Sequence, residues 1–335
     1  MTVWRGAVER GLNAIWYRNS ILSWCLLPLS LIVRFEVKRR RGQSPLKGVT
    51  PDGVMVIVIG GVTVGGTGKT PVLMALGRWL RHGGYRVGVI SRGYRSQRLS
   101  EVCHVASSDD AASVGDEPLL IRRELDVPVV IGRDRRQALD ALLEQNAIDI
   151  VLSDDGLQHY QLPRDLEIVV LDAHRGLGNG RLLPAGPLRE PRERLAEVDW
   201  ILERNSDDPH RGFEYQINRA RHLASGRLVL WADCLSQWGD QSLSAITALG
   251  QPEQFFRMLT GQGLRVNTVS LPDHDTIRPE HLEGIDEEIV LMTAKDAVKL
   301  SGSIDSRLWV VEIEAQLPAS LLAELHDKLP SLMQA

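Results

Sequence analysis

The stretch MVIVIGGVTVGGTGKTPVLMALGRWL, Met55 to Leu80, decides the fold class. From Val54 to Gly60 it is a short apolar, β-branched run, the composition of a strand covered on both faces of a parallel sheet. After Lys69 it reads as a helix, with Pro71 in the first turn and Gly83-Gly84 as its stop. Between them, Gly65, Gly66 and Gly68 remove the β-carbons that would keep backbone N–H groups from wrapping a phosphate. In that frame Lys69 sets an ammonium on the outer phosphates and Thr70 offers a hydroxyl to Mg²⁺. The residues Thr63, Val64, Gly65, Gly66, Thr67, Gly68, Lys69 and Thr70 are therefore the expected nucleotide-binding loop.

The loop is a variant, because the strict G-x-x-x-x-G-K-[ST] spacing asks for glycine where Thr63 stands. It resembles the KGGxGKT loops of dimeric partitioning-type ATPases, but Val64 occupies the position of their signature lysine, so the charge they supply in trans is missing. A second apolar run, DIVLSDD, ends in Asp154 and Asp155, about ninety residues after the loop. An apolar strand followed by Asp arises by chance; paired with a phosphate loop, these carboxylates become candidates for holding Mg²⁺ at a strand's C-terminal end. Guanine recognition uses N/T-K-x-D, and TAKD at Thr293 to Asp296 has the wrong spacing, so ATP is the expected nucleotide.

Further apolar runs near 86 to 91, 127 to 131, 149 to 153, 166 to 171 and 198 to 202 alternate with helical patterns. That alternation predicts a P-loop NTPase-type α/β fold, a parallel sheet flanked by helices. NSDDPHRG, Asn205 to Gly212, interrupts it, and Phe213 to Ala232 reads as extended strands joining two domains. From about Ser244 a helix and strands over Arg265 to Leu271, Glu288 to Thr293 and Leu308 to Glu312 predict a smaller C-terminal α/β domain. The expected division is an N-terminal segment 1–47, a kinase-type domain 48–225 and a smaller domain 226–335. The 335 residues, 43% hydrophobic and 24% charged without low-complexity tracts, exclude a disordered chain. Cys25, Cys103 and Cys234 lack the spacing of a disulfide framework or zinc site and fit a reducing cytoplasm.

The net charge of −4 is unevenly spread: residues 1 to 47 hold nine Lys/Arg against Glu9 and Glu36, so that segment is +7 and the remainder −11. Within SILSWCLLPLSLIVRFEVKRRR, Ser20 to Arg41, the thirteen-residue run Ile21 to Val33 is broken by Ser23, Pro28 and Ser30. A spanning helix needs roughly 20 residues, so this run is too short to cross a bilayer. No small-residue cleavage site follows it, and it continues into Lys38, Arg39, Arg40 and Arg41, unlike a signal peptide. Upstream, Trp4, Val8, Leu12, Ile15 and Trp16 form one helical stripe, with Arg5, Arg10 and Arg18 elsewhere on the wheel. Two readings fit: an interfacial element on anionic lipid, or a helix pair packed on the protein's own core.

Six peptides occur together: TVGGTGKTP (Thr63 to Pro71), SRGY (Ser91 to Tyr94), GDEPLLI (Gly115 to Ile121), SDDGLQH (Ser153 to His159), GNGRLLPAGPLRE (Gly178 to Glu190) and LPDHD (Leu271 to Asp275). In this order they are highly specific, and over nearly its whole length the chain resembles the tetraacyldisaccharide 4'-kinase family, the lipid A 4'-kinases of Gram-negative bacteria. The resemblance implies transfer of the γ-phosphate of ATP, with Mg²⁺, to the 4'-hydroxyl of a membrane-held tetraacyldisaccharide 1-phosphate, giving lipid IVA. It implies a peripheral enzyme at the cytoplasmic face of the inner membrane, resting on an anionic phospholipid surface as a monomer, with no nucleic-acid partner. Asp116 of GDEP matches the family's catalytic aspartate and His274 of LPDHD its partner, with Lys69 completing the catalytic set; from the residues alone, Asp116 would be a helix N-cap and His274 a loop residue. Arg92, Tyr94, Gln158, His159 and Glu190 are implied to line the nucleotide or acceptor, and Thr70, Asp154 and Asp155 to hold the metal. Two positions depart from the pattern: Gly61 where Asn is common, and Ala294 where TEKD has Glu. A membrane-recruited ATPase switch and a soluble metabolic kinase are the competing readings; the first is opposed by Val64, and the second leaves the apolar run and the Arg39 to Arg41 cluster without a role.

Overall fold

The computed structural model describes residues 11–12, 15–17, 20–42, 50–94, 96–98, 101–300 and 305–332. They fall into two units, one built mainly on 50–214 and one on Tyr215–Glu314. In the larger unit the strands are β1 (Met55–Gly60), β2 (Val87–Ser91), β3 (Cys103–His104), β4 (Val129–Ile131), β5 (Ile150–Asp154), β6 (Leu166–Asp172), β7 (Trp200–Arg204) and the start of β8 (Gly212–His222). They lie in the order β3-β4-β2-β5-β1-β6-β7-β8, and every pair is parallel except β3 with β4. Sequence places β1, β2, β5 and β6 within one residue at each end because they are buried along their whole length, as continuous apolar runs require.

β1 lies between β5 and β6, with Ile59 opposite Asp154 and Gly60 opposite Val169. The segments leaving β1, β5 and β6 therefore emerge at one edge, where ligands bind in open parallel sheets. Helices cover both faces. Val56, Val58, Ile90 and Val151 pack with Ala138, Leu139 and Leu142 of helix Arg135–Gln145. Leu73, Leu76 and Leu80 of helix Lys69–His82 are fully buried, and at Gly77 a β-carbon would come within 2.8 Å of Leu125 Cδ1, so glycine permits the close approach to helix Asp116–Leu125.

The smaller unit has the order β11 (Arg265–Ser270), β10 (Ser242–Thr247), β12 (Val290–Thr293), β13 (Leu308–Gln316) and the rest of β8, with β9 (Leu228–Leu230) antiparallel to β8. Its core gathers Trp231, Trp238, Phe255, Phe256 and Trp309. Two expectations fail here. The helix expected from about Ser244 is preceded by strand β10, and the helix itself spans Pro252–Gly261. SLSAIT carries Ser and Ala at its centre, so it lacks the β-branched signal, and pairing with β11 and β12 on both sides makes it a strand. The extended reading also overruns into Trp231–Trp238, which is helical. The two units meet in sequence inside β8 at Glu214/Tyr215, and the chain from Ala315, including helix Ala319–Leu332, belongs to the larger unit.

Within the larger unit the N-terminal segment forms helices Ile21–Cys25 and Leu27–Gly42. Trp4 and Val8 of the expected stripe, and Arg5, Arg10 and Arg18 from elsewhere on that wheel, lie outside the described residues, while Trp16 is buried. The helix pair is inverted relative to a core-facing one. Its serines are buried: Ser30 Oγ donates to Leu182 O at 2.8 Å and accepts from Ala185 N at 3.2 Å, and Arg181 donates to Ser23 Oγ at 2.6 Å. Its large apolar side chains face outward, with Trp24 63%, Ile32 65% and Phe35 70% exposed beside Ile21, Leu22, Leu29 and Leu31. No helix among the described residues is long and apolar enough to cross a membrane.

Candidate active site

The glycine loop is shaped by two left-handed residues, Gly65 at φ 103° and Gly68 at φ 101°, the latter serving as N-cap of the helix that begins at Lys69. At Gly60 a β-carbon would lie 2.6 Å from Leu157 Cβ, so the turn out of β1 excludes any other residue. The loop is braced from outside: Val64 N donates to Pro187 O at 2.9 Å, Arg189 N to Val62 O at 2.7 Å, and Gln158 Nε2 to Gly61 O at 3.1 Å. Thr67 is buried, and its hydroxyl has no hydrogen-bond partner among the described residues. Such a group inside a ring of N–H donors suits a phosphate oxygen. Gly61 leaves that hydroxyl as the nearest atom to its absent β-carbon, at 3.5 Å.

Lys69 Nζ stands 3.5 Å from Asp155 Oδ1, and Arg189 grips the same carboxylate with both terminal nitrogens at 2.9 Å. Burial alone would raise the Asp155 pKa; Lys69 and Arg189 instead hold it well below the usual carboxylate range. Asp154 is different. It is 3% exposed, accepts from Ser91 Oγ at 3.2 Å, and burial first, then the Glu117 and Asp155 carboxylates, pushes it up to about 7. Arg135, also buried, donates to the backbone oxygens of Gly132 (2.7 Å) and Asp154 (3.1 Å); desolvation lowers its pKa to about 10, which leaves it cationic at neutral pH. Mg²⁺ uses one or two carboxylates and completes its shell with substrate phosphate and water. Thr70 at the start of the helix with Asp154 fits that donor set.

The other expected residues divide by location. Asp116 is the first residue of its helix; the N-cap is Gly115 at φ 94°, so the capping role predicted from residues alone is not its role. His274 belongs to the smaller unit, at φ 65°, with its backbone N–H donating to Ala248 O at 2.9 Å and Nε2 3.6 Å from Asp273. Arg92 and Tyr94 are exposed just beyond β2. His159 is held neutral at ordinary pH, lowered to about 4 by burial and then by Arg135 and Arg92. Glu190 is fully buried and accepts from the Tyr160 hydroxyl. Asp296 of TAKD is likewise buried, accepting from Thr247 and Thr293 and pairing with Lys299 at 3.0 Å, a structural hub of its own unit. Arg189, Glu117 and Arg135 join the site without having been singled out. Two of them were adjacent to residues that were, Glu117 after Asp116 and Arg189 before Glu190; Arg135 had no local signal.

Known proteins resemble this chain over nearly its whole length. The family model described as tetraacyldisaccharide-1-P 4'-kinase matches residues 22–330. A tetraacyldisaccharide 4'-kinase of Alcanivorax borkumensis is 42% identical over 326 residues, covering 96% of this chain and 98% of that one. Its counterpart in Pseudomonas paraeruginosa is 42% identical over 328 residues, with the same coverage, and one from Legionella pneumophila is 37% identical over 307 residues, covering 91% and 93%. Among solved structures, LpxK from Aquifex aeolicus in complex with ATP superposes with a TM-score of 0.76 at 29% identity, covering 94% of this chain and all of that one.

Proposed function

Because this chain belongs to the tetraacyldisaccharide-1-P 4'-kinase family, lipid kinases that use ATP, we propose that its phosphoryl transfer runs over the Thr63–Thr70 loop, between β1 and β5. The reaction moves the γ-phosphate of ATP to the 4'-hydroxyl of tetraacyldisaccharide 1-phosphate. The observation that carries the site assignment is the convergence of Lys69, the buried Thr67 hydroxyl and the Asp154–Asp155 pair at the mouth of one glycine loop. Phosphoryl transfer is mainly positioning and charge stabilisation. The loop N–H groups and Lys69 hold the β- and γ-phosphate oxygens. Thr70 and Asp154 would hold Mg²⁺, which supplies further neutralisation of the phosphate charge. Asp155, shared between Lys69 and Arg189, fixes the direction of both cations.

The acceptor oxygen attacks the γ-phosphorus as the bond to the β-phosphate oxygen breaks, ADP leaves, and the hydroxyl proton passes to Asp116. A carboxylate within reach of the acceptor hydroxyl serves as its general base. Arg92, Tyr94, Gln158 and the neutral His159 face the sugar side, and Glu190 supports that wall from beneath through Tyr160. All these groups are on one chain, so a monomer is sufficient.

The acceptor carries four acyl chains and stays in a bilayer, and the outward apolar row Ile21–Phe35, followed by Arg39, Arg40 and Arg41, supports interfacial binding to anionic lipid. ATP is a cytoplasmic substrate, which puts this contact on the cytoplasmic face of the inner membrane. Two measurements test the reading. In titrations with a fluorescent ATP analogue, Lys69→Ala should weaken binding at least tenfold while Asp116→Ala binds as wild type. In sedimentation with vesicles, the protein should pellet with phosphatidylglycerol-containing vesicles and release at high salt; failure to pellet would remove the membrane assignment.

A further inference from the structure

The segment after β6 holds a cation that the reaction described above does not use. Asp172 ends β6, next to β1 in the sheet, and its carboxylate pairs with the buried Arg204 and accepts from His174 N at 3.0 Å. Backbone bonds from Arg175 N and Gly176 N to Asp172 O, at 3.1 and 2.8 Å, then fold a tight turn. That turn directs Arg175 back to the glycine loop: a β-carbon on Gly65 would stand 3.2 Å from Arg175 Nη1. On its other side the guanidinium lies over the Tyr17 ring, 4.4 Å from the centroid. Tyr17 belongs to the N-terminal segment, whose neighbour Trp16 is tied to the same stretch by Asn179 N to Trp16 O (2.8 Å) and Trp16 Nε1 to Pro184 O (2.9 Å).

We propose that Arg175 is a further catalytic residue, whose guanidinium contacts the γ-phosphoryl group during transfer, with Tyr17 as the positioning residue that holds it there. This rests on reading Val64–Thr70 as the phosphate loop. Gly65 is three residues before the helix N-cap, on the outer part of the loop, beyond the helix N-terminus where the inner phosphates bind. A guanidinium this close to Gly65, in the loop that leads into Lys69, adds positive charge that an anion neutralises. Its planar fork matches phosphate oxygens. An arginine in cis in this role stabilises charge that develops on the equatorial oxygens, a contribution of roughly 10³–10⁵ in rate in other phosphoryl-transfer enzymes.

The test compares wild type with Arg175→Ala, Arg175→Lys and Lys69→Ala. In mixed micelles, Arg175→Ala should lower kcat by about 10²–10⁴ while KM for ATP changes less than about fivefold, and Arg175→Lys should recover part of the loss. The second readout needs no turnover. Wild type should bind ADP more tightly with aluminium fluoride, a mimic of the transferring group, and Arg175→Ala should keep its ADP affinity while losing at least about tenfold of that gain. Tyr17→Ala should show a smaller loss of the same kind. A kcat and fluoride-dependent gain preserved in Arg175→Ala would overturn the proposal. So would a loss confined to melting temperature or vesicle binding, since Arg175 would then only pack between Tyr17 and Gly65. If Lys69→Ala keeps full nucleotide affinity, the loop assignment fails instead, and the two failures are distinguished.

Discussion

Asp154→Asn should stabilise the metal-free protein above neutral pH and leave it unchanged in acid. The carboxyl is 3% exposed, and burial, Glu117 and Asp155 push its pKa up from an ordinary 3.8 to about 7. A carboxyl whose pKa is higher in the folded state binds more protons there than in the unfolded chain, so folding free energy is lost as pH rises. The loss is absent below the unfolded value near 4, grows through the window up to about 7, and is complete above it. At about 1.4 kcal/mol per pKa unit the interval sets an upper bound of roughly 4 kcal/mol, and structural relaxation brings the expected effect to the order of 2 kcal/mol. Asn keeps the shape and can still hydrogen-bond Ser91, without a charge to bury. Urea unfolding in chelator at acid, neutral and alkaline pH reads the difference: equal stabilities near pH 4, and an Asn variant more stable by about 2 kcal/mol near pH 8. A gain independent of pH, or an Asn variant less stable in alkali, would refute the reasoning. The same variant should lose the Mg²⁺-dependent part of ATP binding, since a neutral amide is a poorer ligand for a hard cation.

Three further outcomes follow from particular contacts. Replacing both Trp24 and Phe35 by Ser should leave the melting temperature within a degree or two, because both side chains are exposed, yet reduce binding to phosphatidylglycerol vesicles at least tenfold, given about 1.5–3 kcal/mol for each apolar side chain inserted. Gly60→Ala drives a methyl to 2.6 Å from Leu157 Cβ and should destabilise the larger unit by about 1–3 kcal/mol in urea unfolding, with nucleotide binding falling alongside. Asp172→Ala strips the partner from Arg204, both buried, and should cost about 3–5 kcal/mol; an effect under 1 kcal/mol would mean that water already reaches the pair.

The larger unit was legible because its chemistry is local. Continuous apolar strands and a glycine loop leading into a helix give the order β1, loop, helix, and the parallel sheet follows from the alternation after it. β10 was not legible: Ser244 and Ala245 are buried by neighbours β11 and β12 distant in sequence, and no periodicity within SLSAIT marks it as a central strand. The N-terminal run was legible in composition but not in orientation, because only the contacts of Ser23 and Ser30 with the Arg181–Ala185 stretch turn its apolar face outward. The carboxylates Asp154 and Asp155 could be found from their place at a strand end. Arg189, Arg135 and Arg175 could not, since arginines are common and nothing in their spacing says which of them the sheet edge will gather beside the loop.

The most direct test of the account is transfer of ³²P from γ-labelled ATP to tetraacyldisaccharide 1-phosphate in mixed micelles, comparing wild type with Lys69→Ala and Asp116→Ala. The account predicts labelled lipid from wild type and losses of at least about 10² in both variants, with ATP binding kept in Asp116→Ala. Full transfer by Asp116→Ala, or ATP hydrolysis without labelled lipid from wild type, would contradict it.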